Sequence, residues 1–305
     1  MRMAHLYDSL TPTVSLRGER QLTMTTQGVE TPDGISWHVE YFPSNDQQDL
    51  SKDVIVLIPS GEGDCQNLLA LAALLCRKYS VLTFDMPGFS RTKAPTDAYA
   101  KVTPQLLASQ IVTLLDALQI SQATFFGCSS GGAATLALCS LHPDRVKCGI
   151  VHEVPFEAPE MLSSLQKLPD VEISPICKDI FANGFVEQEN NGRTKWEALG
   201  PEYHSRLAKN YVTWIRGYAD SVEVAAHELA SDPENLKRRP IFWTVGSLNA
   251  DSENQNGVWK RNFEMAKKAG LTVENKTLNC LHFPSVTVPE ELAKWIEDCV
   301  DSVAD

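Results

Sequence analysis

The sequence predicts an α/β fold in which a mostly parallel central sheet carries helices on both faces and is interrupted by an inserted helical cap. Three observations carry this expectation. Through residues 53–154, β-branched and aromatic runs alternate with stretches of helical period, and short connections of this kind favour right-handed crossovers. The strand runs are apolar throughout, as strands covered on both faces require. After Pro155 the alternation stops for roughly eighty residues, then resumes near residue 239. The expected organisation is therefore a loose arm over 1–22, a core made of 23–154 and 239–305, and a helical cap over 155–238.

Each element follows from its own residues. Leu22-Thr-Met-Thr-Thr26 and Ile35-Ser-Trp-His-Val-Glu-Tyr-Phe42 flank Thr31-Pro-Asp-Gly34, a turn between two strands, so the core should open antiparallel. Asp53-Val-Ile-Val-Leu-Ile-Pro59 reads as a buried strand, followed by Ser60-Gly-Glu-Gly63 and a helix from about Gln66 to Lys78. Ser80–Asp85 is a strand ending in the turn Met86-Pro-Gly88, which reads as structural. Leu106, Leu107, Ile111, Leu114, Leu115 and Leu118 give Thr103–Ile120 helical spacing. Ala123–Gly127 is a strand, Gly132–Leu141 a helix and Val146–Val151 a strand. Pro159, Pro169, Pro175, Pro201 and Pro233 punctuate the cap, which offers no good strand. The strand Pro240–Gly246, a helix over Gly257–Ala269, the strand Leu271–Leu278 and a helix from Glu290 to about Val303 complete the core.

Composition narrows the function. The 305 residues carry Lys+Arg 27 against Asp+Glu 39, a net charge of −12, and 43% of them are hydrophobic against 22% charged. This is enough apolar content for a sizeable core and excludes a disordered or fibrous chain. The acidic balance repels phosphate backbones, and Lys237-Arg238-Arg239 is too short a basic cluster to reverse that, so no nucleic acid partner is expected. No apolar run reaches the roughly 20 residues that span a bilayer, and the first residues lack a signal peptide's apolar middle. The expectation is a soluble, cytoplasmic protein without a membrane partner. Asp8 and Glu19 argue against reading residues 1–22 as a transit peptide. None of the eight cysteines forms a C-x-x-C pair, so neither zinc nor a disulfide framework is expected, and buried thiols are.

Gly127-Cys-Ser-Ser-Gly131 matches G-x-S-x-G, a string expected by chance about 0.1 times in such a chain. Its place between a strand and the small-residue helix start Gly132-Ala-Ala134 makes Ser129 the candidate nucleophile on a strained turn. Cys128 is expected to pack inward. A hydroxyl needs a base, and after the last strand Leu281-His282-Phe-Pro284 supplies it. Of the seven histidines only His282 and His152 follow sheet strands on the correct edge. The orienting acid has alternatives. Asn249 stands three residues after Gly246, where an acid is often found, and an amide cannot stabilise an imidazolium as a carboxylate does. Glu153, 24 residues after Ser129 at the end of the preceding strand, is preferred, with Asp251 and Glu253 further candidates. Acyl transfer also needs two oxyanion donors. The N–H of Ser130 follows the nucleophile, and Gly61 after Pro59 is the choice for the second, against the alternative of a plain strand-to-helix turn.

These residues carry a family resemblance. Phe84-Asp-Met-Pro-Gly88, Gly127-Cys-Ser-Ser-Gly131, Pro143-Asp-Arg145, His152-Glu153, Trp196-Glu-Ala-Leu-Gly200, Trp214-Ile-Arg-Gly-Tyr218, Trp243-Thr-Val-Gly246 and His282-Phe-Pro284 run from near residue 30 to the end. On them the chain resembles the fungal zearalenone lactone hydrolases of the α/β-hydrolase superfamily. The resemblance implies an α/β-hydrolase fold and a Ser129-His282-Glu153 triad with oxyanion donors Gly61 and Ser130. It also implies a cap whose Trp214 lines the pocket of a large resorcylic acid lactone, rather than only packing the cap. It implies neither metal nor organic cofactor. The expected partner is a small-molecule lactone, and a homodimer is left open. The chain departs from the family in a longer N-terminal arm, a longer insertion after Tyr41, and Ser60 and Glu62 in the oxyanion loop. Two other readings keep the fold: another carboxylesterase or carbon–carbon bond hydrolase, and a ligand receptor with little turnover.

Overall fold

In a computed structural model of the protein, residues 13–14, 22–44, 54–156, 160–186, 190–218, 233–250, 256–268, 270–271 and 274–303 are described. Two short strands, β1 (Thr13–Val14) and β2 (Leu22–Thr23), pair antiparallel within and just beyond the arm. The remaining strands are β3 (Thr25–Glu30), β4 (Ser36–Phe42), β5 (Val54–Ile58), β6 (Ser80–Phe84), β7 (Ala123–Cys128), β8 (Val146–His152), β9 (Ile241–Gly246) and β10 (Glu274–Leu278). They form one sheet in the order β10-β9-β8-β7-β5-β6-β4-β3. β3, β4 and β6 pair antiparallel, and every other neighbour is parallel.

The two sides of β5 explain its apolar run. Val54, Val56 and Ile58 enter one core, Ile55 and Leu57 the other, because successive side chains leave a strand on opposite faces. The first core is closed by α2 (Pro104–Ala117) and α3 (Ser130–Leu141), through Leu107, Ile111 and Leu136. The second is closed by α1 (Leu69–Leu75) and the last helix, Pro289–Ser302, through Leu71, Leu75, Leu292 and Ile296. Each such side chain contributes roughly 1.5–3 kcal/mol on burial. Thr103 caps α2 by accepting from the Leu106 N–H, with Pro104 in the first turn where a missing N–H costs nothing.

Element boundaries shift slightly from expectation. The helix expected from Gln66 begins as a 3-10 turn over Cys65–Leu68, with Asp64 accepting from the Gln66 N–H. β10 is described only from Glu274, and Thr272 and Val273 of the expected strand lie outside the described residues.

Between β8 and β9 the described residues are helical: α4 (Glu160–Leu165), α5 (Asp170–Asp179), α6 (Gly192–Glu197) and α7 (Pro201–Thr213). Two π-helical turns, Ile180–Gly184 and Trp214–Tyr218, extend α5 and α7. They bring the rings of Phe181 and Trp214 edge to face at 5.6 Å. The cap is bolted to the core by polar contacts. Arg206 in α7 donates to Asp64 at 2.7 Å, Gln66 donates to the Leu199 carbonyl at 2.6 Å, and the Tyr218 hydroxyl donates to the Pro87 carbonyl at 2.8 Å.

Candidate active site

β7 and β8 lie side by side with Cys128 opposite His152, so Ser129 and Glu153 leave the same edge of the sheet as neighbours. Both sit on strained backbone. Ser129 has φ 53° and Glu153 φ 45°, left-handed values that cost a residue with a Cβ on the order of 1–3 kcal/mol. The surroundings enforce them. The Ser129 N–H donates to the His152 carbonyl at 2.9 Å, and the Glu153 N–H to the Thr244 carbonyl at 3.2 Å. The flanking glycines are obligatory: a Cβ on Gly127 would stand 2.2 Å from the Gly131 carbonyl oxygen, and one on Gly131 2.5 Å from that of Pro59. Ser129 is half-buried at the start of α3, whose first N–H groups, Ser130 among them, have no partner within the helix.

Glu153 is fully buried, and its carboxylate is held at both oxygens. Oε1 accepts from the Gly246 N–H at 2.8 Å, and Oε2 lies 2.7 Å from His282 Nδ1. An imidazole that gives its Nδ1 proton to this carboxylate keeps Nε2 as an acceptor. The His282 ring is packed on two sides, by Trp259 stacked at 4.8 Å and Phe185 at 4.7 Å. Cys128, expected only to pack, also donates from Sγ to the His282 carbonyl at 3.0 Å and so pins the loop. Its thiol is pushed well up, first by burial and then by the charge of Glu153.

His152, the other histidine at this edge, has both ring nitrogens engaged by its own neighbours. Its ring contacts Thr244 Oγ1 at 2.9 Å and the Leu281 carbonyl at 3.3 Å, bracing the segment that carries His282. It lies 3.8 Å from Glu153 Oε2, yet burial pushes it down to about 4, so at neutral pH this is no ion pair.

The loop after β5 reaches the same place. Ser60 to Gly63 form a turn closed by the Gly63 N–H on the Ser60 carbonyl at 3.0 Å, and no backbone carbonyl among the described residues accepts from the Gly61 N–H. Trp214 lies directly over it. A Cβ on Gly61 would stand 2.8 Å from the indole, whose buried Nε1 has no hydrogen-bond partner among the described residues. Asn249 falls in the short helix Ser247–Ala250, and Asp251 and Glu253 lie outside the described residues. A second acidic cluster, Asp64, Cys65 and Asp85, is already served by a guanidinium: Arg91 reaches Asp85 at 2.7 Å and Asp64 at 3.3 Å. It stitches the Asp85 turn to the loop below the cap, the structural part expected of that turn.

Three contacts made here have no signal in the sequence: Trp259 and Phe185 on His282, and Glu62 with Asn67. Trp259 lies in a stretch read only as helix, and Phe185 in the irregular, helix-like stretch of the cap. Glu62 and Asn67 are five residues apart across a helix start.

Comparison with known proteins agrees with this fold. Residues 53–171 match the alpha/beta hydrolase fold family. The chain is 38% identical to a zearalenone hydrolase of Bionectria ochroleuca over 89% of its own length and 96% of the relative's. It is 40% identical to a zearalenone hydrolase of Cladophialophora bantiana, over 87% and 93%. Among solved structures, a thermophilic esterase from Thermogutta terrifontis superposes with a TM-score of 0.73 at 15% identity, covering 92% of this chain and 100% of that one. An enol-lactonase from Burkholderia xenovorans LB400 gives 0.67 at 16%, covering 95% and 100%, and both speak for the fold alone. Full-length identity at this level, on this fold, places the chain in the zearalenone hydrolase family of α/β hydrolases.

Proposed function

We propose that the protein opens the ester of a macrocyclic resorcylic acid lactone, zearalenone or a congener, with Ser129 as nucleophile, His282 as base and Glu153 as orienting acid. The observation that carries this reading is the 38% and 40% identity to two zearalenone hydrolases over nearly their whole length. The buried Glu153–His282 contact beside the Ser129 turn supports the chemistry.

In this mechanism His282 Nε2 takes the Ser129 hydroxyl proton as Oγ attacks the lactone carbonyl carbon. The oxyanion is received by the N–H groups of Gly61 and Ser130, at the positive end of α3. The ring C–O bond then breaks, and His282 returns the proton to the departing alkoxide, which stays tethered through the opened chain. Water, deprotonated by His282, attacks the acyl-enzyme, and the hydroxy acid leaves with Ser129 restored. Trp214, packed over Gly61, offers an apolar wall for the resorcylate ring.

Product analysis with zearalenone tests the reading. Wild type is expected to yield the ring-opened acid, and Ser129→Ala to lose turnover by several orders of magnitude while still binding the lactone. Turnover of zearalenone by Ser129→Ala at the wild-type rate would sink the mechanism. Binding without product in wild type would instead favour a receptor.

A further inference from the structure

Glu62 is a fully buried carboxyl in the loop that presents Gly61, and among the described residues no arginine, lysine or histidine pairs with it. Asp64, Asp85 and Glu153 each have such a partner. Its contacts are all with neutral groups. Oε1 accepts from the Ser60 N–H at 3.3 Å and from Asn67 Nδ2 at 2.8 Å, and Oε2 lies 2.5 Å from Ser60 Oγ. Its own main-chain carbonyl accepts from Asn210 Nδ2 of α7 at 2.8 Å. One residue therefore ties three pieces together: the strand end at Ser60, the helix start at Asn67 and the cap.

The geometry bears on Gly61 through peptide planarity. The Ser60 carbonyl and the Gly61 N–H share one rigid plane and point in opposite directions. Because the Ser60 carbonyl is held inside the turn by the Gly63 N–H, the Gly61 N–H is aimed outward. Gly61 and Gly63 would by themselves leave this plane free to flip, since glycine carries no Cβ to penalise the alternative. Something must hold it. The Glu62 carboxyl holds the Ser60 N–H before this plane in the chain, and Asn210 and the Met86 N–H hold the Glu62 and Gly63 carbonyls after it.

We propose that Glu62 is a positioning residue that, through Ser60, Asn67 and Asn210, fixes the direction of the Gly61 N–H and makes the seating of the cap part of the oxyanion hole. The proposal rests on the reading of Gly61 as an oxyanion donor. Burial pushes the Glu62 carboxyl up, opposed by the hydrogen bonds from Ser60 and Asn67.

The test compares Glu62→Leu with Glu62→Gln, using steady-state kinetics on zearalenone and the rate of Ser129 labelling by a fluorophosphonate probe, located by peptide mass. Glu62→Leu is expected to lower kcat about 10- to 100-fold, a fraction of the loss from deleting an oxyanion donor, with KM changed less than about threefold. Labelling should slow by a similar factor. Glu62→Gln keeps the Oε1 acceptor and an amide facing Ser60 Oγ, and should restore both rates to within about fivefold of wild type. A folded Glu62→Leu with wild-type kcat, or with its loss confined to KM, overturns the proposal. Should Glu62→Leu fail to fold, Ser60→Ala and Asn67→Ala replace it, and unchanged kcat in both overturns the proposal equally. Failure of the probe to label wild type at Ser129 would overturn the serine mechanism itself, whereas normal labelling that is indifferent to Glu62 overturns only the present inference.

Discussion

Two glutamates in this molecule are buried to the same extent and face opposite kinds of partner. Glu153, at the end of β8, faces an imidazole, and Glu62, in the turn after β5, faces a hydroxyl, an amide and a backbone N–H. Burial disfavours the charge on either one. What separates them is whether the partner can carry a positive charge. Beside His282 a carboxylate can stabilise an imidazolium as it forms, which is chemistry. Beside Ser60 and Asn67 there is no charge to stabilise, and the same group serves as a rigid acceptor around which a glycine-rich turn is wound.

The sharpest way to break this contrast is the same isosteric change at both sites. Glu153→Gln is expected to lower kcat on the lactone by about 10⁴-fold, because an amide cannot stabilise the imidazolium and can favour the wrong tautomer. The parallel change at Glu62 should cost no more than about fivefold, and equal losses would mean that the two carboxyls share one role. Next in size is an effect of His152, which shares the surroundings of Glu153. Its folded value of about 4 lies below the unfolded 6.5, so its contribution to stability is complete above pH 6.5 and is lost as pH falls towards 4. The loss is on the order of 3 kcal/mol. Urea unfolding of wild type and His152→Gln at pH 7.5 and 4.5 checks this, and an identical pH dependence in the two would contradict it.

On the Glu62 side, Trp214→Ala should lower the ratio of zearalenone to short-chain nitrophenyl ester activity by about tenfold, since a small ester needs no indole wall. An unchanged ratio would reduce Trp214 to a packing residue of the cap. The smallest effect is read by its sign. The Glu62 carboxyl is raised in the folded state, so its favourable contribution is present below the unfolded value of 4.5 and declines as pH rises through the folded one. Thermal unfolding should show Glu62→Gln gaining on wild type between pH 4.5 and pH 8, and a gain in the opposite direction would assign the raised value to the wrong group.

How much of this was legible beforehand follows a physical divide. Ser129, Glu153 and His282 stand at strand ends, and strand ends can be read from apolar runs and glycine turns, so three residues far apart in sequence could be placed at one sheet edge. The parallel core was legible for the same reason. The cap was legible only as helical. Its two π-helical turns depend on packing between Phe181, Trp214 and their neighbours, which no periodicity encodes. The Glu62 cluster was illegible in a different way: the bond from Asn210 spans 148 residues and exists only once the cap is seated. The pinning of His282 by Cys128 spans 154 and looked in sequence like one more buried thiol.

The pairing of Cys128 with His152 has a consequence for how the protein can vary. On the proposed reading Glu153, at the end of the strand next to Ser129, orients His282, and the segment that follows Gly246 is not asked for a carboxylate. Gly246 supplies its backbone N–H to Glu153 and has no room for a side chain, since a Cβ there would stand 2.3 Å from the Cys280 carbonyl oxygen. Side-chain changes beyond that point are limited by Trp259, whose ring stacks on His282 at 4.8 Å, but loop insertions before it carry little entropic penalty of their own. Natural drift and deliberate engineering alike have room for changes of length there while the Glu153–His282 contact stays in place.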